Sequence, residues 1–86
     1  MSILDMSEYD AFHGMAAVHL ESAERQISAG AVSSEGVAIG PARVSAHLAH
    51  VWAGRATRAS NSMAQRIAAA QISTAAVALV TPEWMR

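Results

Sequence analysis

The sequence predicts an all-α fold, an antiparallel hairpin of two helices, on three observations. Two long segments repeat apolar residues at steps of three and four, the helical period. Between them, residues 30–41 hold three of the five glycines and one of the two prolines, and show no period. The charge is also sorted by half. Residues 1–40 carry six acids (Asp5, Glu8, Asp10, Glu21, Glu24, Glu35) and one base, Arg25, whereas residues 41–86 carry Arg43, Arg55, Arg58, Arg66 and Arg86 and one acid, Glu83. Two helices with opposite fields favour lying side by side.

Eighty-six residues make one domain, 1–86. On size scaling such a chain buries only about 60 to 65 per cent of its surface and has little stability to spare, so a partner is expected. Apolar residues are 52% of the chain, but 20 of them are Ala and only Tyr9, Phe12, Trp52 and Trp84 are aromatic. Alanine favours helix and lets helices approach closely, so thin, tightly apposed helices are expected in place of a thick core. The chain has neither Cys nor Lys. Disulfides, thiolate metal sites, Schiff-base chemistry and a P-loop lysine are thereby excluded.

Helix one is expected over about 7–29. Ser7-Glu8-Tyr9-Asp10 has the form of a capping box, a hydroxyl followed three residues on by an acid. Phe12, Ala16, Leu20, Ala23 and Ile27 then make one stripe, and Gly30 suits a left-handed cap. Residues 30–41 read as a loop, with Val37 and Ile39 expected to fold back on the hairpin because leaving both in water forfeits apolar burial. Gly40-Pro41 suits a helix start, since a proline at the first position gives up an amide that has no partner there.

Helix two is expected over about 42–80, where Leu48, Trp52, Ala56, Ala59, Met63, Ile67, Ala70, Thr74 and Val77 keep one face until Pro82. At 1.5 Å per residue it would be about 57 Å long, against about 33 Å for helix one. Two outcomes follow: a continuous helix whose far end waits for another chain, which is the favoured expectation, or a break at Gly54 that makes a three-helix bundle. Phe12, Leu20 and Ile27 are expected to pack on Leu48, Trp52 and Met63. The candidate interface comprises Trp52, Met63, Ile67, Ala70, Thr74 and Val77.

No constellation of catalytic residues is present, and no enzyme activity is expected. His13, His19, His47 and His50 lack the HExxH or Glu-x-x-His spacing of helical metal sites, so neither metal nor cofactor is expected. A formal charge of −1 without a lysine-rich or aromatic-interleaved patch argues against nucleic acid. The most apolar window, Ile67–Val80, contains Gln71, Ser73 and Thr74 and falls short of the roughly 20 residues of a membrane span. Met1–Asp10 has no basic start and no apolar run, so the chain is expected to be cytoplasmic as synthesised, and any export would not use a cleaved signal.

Leu48-Ala49 followed by Trp52-Ala53-Gly54 resembles the Leu-Ala-x-x-Trp-x-Gly segment of the small helical-hairpin substrates of type VII secretion. The resemblance implies a helical hairpin that pairs with another, exported without a cleaved signal. No Tyr follows Trp52, so that family's Tyr-x-x-x-Asp/Glu export signal is absent. A second stretch, Gly14-Met15 through Leu20-Glu21, Ala23 and Gln26-Ile27-Ser28, is similar to the N-terminal helix of flagellar axial (rod and hook) proteins, with Ala70-Gln71 to Val80 similar to their C-terminal helix. The function expected is therefore that of a non-enzymatic structural or interaction protein in a dimer or larger assembly, in its specific form a type VII secretion substrate or partner. The alternatives are an axial component of a flagellar-type rod and a small helical adaptor or chaperone.

Overall fold

The computed structural model describes residues 7–86; residues 1–6, which include Asp5, lie outside it. The fold is all-α. Three helices follow one another, α1 (Glu8–Ser28), α2 (Pro41–Arg58) and α3 (Met63–Leu79), and a 3-10 turn closes the chain at Glu83–Met85. Ser7 caps α1 as its sequence suggests: its Oγ accepts the Asp10 amide at 3.1 Å and donates to the Asp10 carboxylate at 2.9 Å. At the other end, Gly30 takes φ +109°, a conformation open to glycine, and its amide returns to the Ile27 carbonyl.

The loop between α1 and α2 is held by an isolated antiparallel bridge, Val32 to Ala38. It does fold back, but through an unexpected residue. Ala38 is fully buried and its amide donates to the Leu79 carbonyl at 2.8 Å, tying the loop to the end of α3, while Ile39 stays exposed and Val37 half-buried. Gly40, at φ +55°, turns the chain into Pro41, the first residue of α2.

Helix two is not continuous over 42–80, and Gly54 is not where it breaks. Gly54 stays helical inside α2, and the chain leaves the helix after Arg58. Local hydrogen bonding places the break. The Thr57 hydroxyl donates to the Ala53 carbonyl and the Ser60 hydroxyl to the Thr57 carbonyl. Ser62 then accepts the Gln65 amide at 3.1 Å while the Gln65 side chain accepts the Asn61 amide at 2.8 Å. This reciprocal box satisfies amides that a new helix start leaves free, so stopping and restarting costs little. Three helices therefore replace the favoured continuous hairpin, as in the alternative expectation, but the break lies at residues 59–62 and not at Gly54.

Neighbouring helices run antiparallel. Phe12 meets Trp52 and Gln26 meets Ser45, so α2 descends along α1; Ala56 lies by Ala69 and His50 by Ser73, so α3 climbs back along α2. The central α2 packs on both neighbours, whereas α1 and α3 meet sparsely, at the end where Tyr9 joins Ala56 and Ala69 with Phe12 and Ala59 around them. The molecule measures 43 × 25 × 14 Å, and its radius of gyration of 13.6 Å exceeds the ~12 Å expected for a compact chain of this length.

Alanine makes the core. Ala42, Ala46, Ala49, Ala53 and Ala56 recur at steps of four and three and line one stripe of α2; Ala16 and Ala23 on α1 and Ala69 and Ala76 on α3 each lie seven residues apart. All are at most 1% exposed, and apart from Tyr9 and Ser45 every buried residue of the described chain is alanine. The larger residues expected in the core sit at its edges: Phe12, Leu20, Ile27, Leu48 and Trp52 are half-buried, and Met63 is exposed. Small side chains let helix axes approach toward the close end of the usual ~8–10 Å, which leaves no interior for large ones.

Candidate interaction surface

The outer side of α3 carries three of the nine large apolar residues exposed among the described residues, Met63, Ile67 and Val77. At 100° per residue, Ala69 and Ala76 point at α2, and Ile67 and Thr74 lie on the opposite side of the same helix, flanked by Met63, Ala70 and Ala78. Met63 is 65% exposed, Ile67 52% and Val77 42%. Ile67, Ala70, Gln71, Thr74, Ala75 and Ala78 together border a shallow, almost wholly apolar groove. Arg66 is the single charged residue between Met63 and Leu79. The exposed side of α1 mixes Met15 and Val18 with Glu8, Asp10, Glu21, Glu24 and Arg25.

Five of the six expected interface residues, Met63, Ile67, Ala70, Thr74 and Val77, thus share one exposed face. Trp52 does not join them. Its ring lies half-buried against Phe12, centroids 5.6 Å apart, and the Arg55 guanidinium stands 4.6 Å from its centre, so it belongs to the α1–α2 side of the molecule. A cation over an indole ring is a modest attraction at an exposed site, about 0.5–1 kcal/mol.

Polar groups between the helices are few and paired. Tyr9 is buried with its hydroxyl donating to the Gln65 carbonyl at 3.1 Å, which ties the start of α1 to the start of α3. Ser45 donates to Gln26 at 3.2 Å, and His50 Nδ1 lies 2.7 Å from the Ser73 hydroxyl. No buried side-chain polar atom lacks a partner among the described residues. The sequence offered a signal for Tyr9, an aromatic three residues before Phe12 on the same face, but not for its partner, a backbone carbonyl 56 residues away.

The remaining candidates are dispersed. His13 stacks near Tyr9, and His47 and His50 lie on α2; among the described residues no group of three or more His, Cys, Asp or Glu could hold a metal ion. The expected attraction between an acidic and a basic helix is not expressed as ion pairs across the helices. Among the described residues the ion pair present, Arg25 to Glu21 at 3.5 Å, lies within α1. A second concavity, bordered by Val32, Ser33, Gly36, Glu35, Glu83 and the exposed Trp84, is open and mixed in polarity. No described helix is long and apolar enough to cross a membrane.

Comparison of the chain with protein-family models, with curated proteins and with solved structures finds no match.

Proposed function

We propose that this protein is a non-enzymatic helical interaction protein, which works in a complex by covering the outer face of α3 with another helix. The observation that carries the reading is the coincidence on that face of exposed Met63, Ile67 and Val77 with a groove of Ala70, Thr74 and Ala78 and with a single charge. Contiguous apolar surface of this kind marks interaction sites on soluble proteins. The architecture supports it as well. An alanine core buries little area per residue, so a chain of 86 residues gains stability from a partner that the same number of leucines would not need.

Its specific form as a type VII secretion substrate or partner rests on the resemblance at residues 48–54. Here Trp52-Ala53-Gly54 stands within α2, whereas that family carries the motif in its turn.

The test is the size of the protein in extracts of its native source, by size-exclusion chromatography with light scattering. The wild-type chain is expected in a complex heavier than its 9.0 kDa monomer, and Ile67→Glu in the monomer fraction. An Ile67→Glu chain that stays in the same complex overturns the reading.

A further inference from the structure

We infer that the chain's own residues 1–6 cover the N-terminal end of the α3 face and compete there with the partner. The inference rests on the reading of α3 as an interaction face and adds a regulator of that face. Position selects the occupant. Tyr9 donates to the Gln65 carbonyl, so α1 starts beside the start of α3, and residues 1–6 join α1 at Ser7, two residues before Tyr9. Of the exposed large apolar residues, Met63 and Ile67 stand at this end of the molecule. Ile39, Val44, Val77 and Trp84 stand at the other, where Gln26 meets Ser45 and Ala38 meets Leu79. Met15 and Val18 lie on α1 itself, where the segment would have to double back against its own helix.

Reach sets how much of the face is covered. Six residues span at most about 20 Å when extended. Ile67 and Ala70 lie about 6 and 10 Å along α3 from Met63, and Val77 about 21 Å. The segment therefore reaches Met63, Ile67 and the near end of the groove, and leaves the far end open.

Composition matches the surface. Met1, Ile3, Leu4 and Met6 are large and apolar, and Asp5 is the one charged side chain among the six. The face is apolar too, and its single charge is Arg66, one residue from Ile67 and three from Met63. An apolar segment with one acid meets an apolar face with one base. A contact within one chain needs less area than a separate complex, because the tether holds the segment near its site at an effective concentration in the millimolar range. Ordering six residues offsets most of the apolar gain, so the covered form should exceed the open one by about threefold to tenfold. A partner helix that needs the whole face binds more weakly by about that factor.

The chain is free of cysteine, so engineered thiols report without background. With Ala70→Cys in the purified full chain at low micromolar concentration, maleimide should react about threefold to tenfold more slowly than when Ile3→Ser and Leu4→Ser are added. Val44→Cys, exposed at the opposite end, should react equally in both backgrounds. Under oxidation, Leu4→Cys with Ile67→Cys should form a disulfide within one chain, and Leu4→Cys with Val44→Cys should not.

Equal reaction at position 70 in the two backgrounds overturns the inference. So does a thiol at position 4 that links to position 44 as readily as to 67, or that links to 67 only between chains. None of these readouts needs the partner, so they are separable from the reading beneath them. If the segment proves absent from the face while Ile67→Glu still leaves the native complex, the regulator is lost and the face stands. If the segment covers the face while the native complex ignores Ile67→Glu, the interaction reading is lost and the contact within the chain stands.

Discussion

Adding hydrocarbon to the core of this protein should destabilise it. Ala49 is fully buried on the stripe of α2 that both neighbouring helices pack against. By transfer alone, Ala49→Leu adds three carbons worth about 2.4 kcal/mol at ~0.8 each, and leucine is nearly as good a helix former as alanine. That gain needs space, and the stripe has none. The extra carbons force α1 or α3 outward, and a radial gap of ~0.5–1 Å forfeits a quarter to a half of each dispersion contact along a seam of nine alanines. Overpacking of this kind costs about 1–3 kcal/mol net. In a chain whose whole stability is about 4–13 kcal/mol, a loss near 2 lowers the midpoint of thermal unfolding by about 8–16 °C. Circular dichroism melts of the parent, Ala49→Leu and Ala64→Leu would measure it, with the last, at an exposed position of α3, expected within about ±0.5 kcal/mol of the parent. An Ala49→Leu protein that melts at or above the parent would refute the tight alanine seam.

Three further changes probe separate parts of the fold. Ser62→Ala removes the cap that restarts the chain as α3 and should cost about 1 kcal/mol by urea unfolding; no change would mean that the break at 59–62 does not depend on the Ser62–Gln65 box. Tyr9→Phe leaves the ring and removes the second hydrogen bond of the Gln65 carbonyl, which lies inside α3, an expected loss of about 1 kcal/mol, and backbone hydrogen exchange at the start of α3 should quicken with it. Trp52→Ala removes a half-buried ring, so its cost should fall near 2 kcal/mol, below the ~3–5 of a fully buried aromatic; a loss of 4 or more would place Trp52 inside the core.

Helical class, the first helix with its Ser7 cap and Gly30 end, the loop at 30–41 and the start at Pro41 were all legible in the chain, because each depends on residues within a turn or two of one another. The break after Arg58 was missed: Ser60-Asn61-Ser62 and the Ser62-x-x-Gln65 box signal it, but an apolar stripe that runs unbroken through them reads as one helix, and the break considered was at Gly54. Periodicity reports which residues share a side of a helix and is silent on whether the axis turns. The outer residues of α3, Met63 to Val77, were legible as an apolar face left open for a partner; that alanines would fill the seams of α2 with its neighbours was not. Only the tertiary structure decided it. Once alanines set the spacing between helices, the large side chains no longer fit between them, so Trp52 and Phe12 moved to the edge, Met63 to the surface, and Ala38 in place of Val37 or Ile39 was buried where the loop folds back on the end of α3. Steric competition among three helices made that choice, and its terms are distances between residues far apart in the chain.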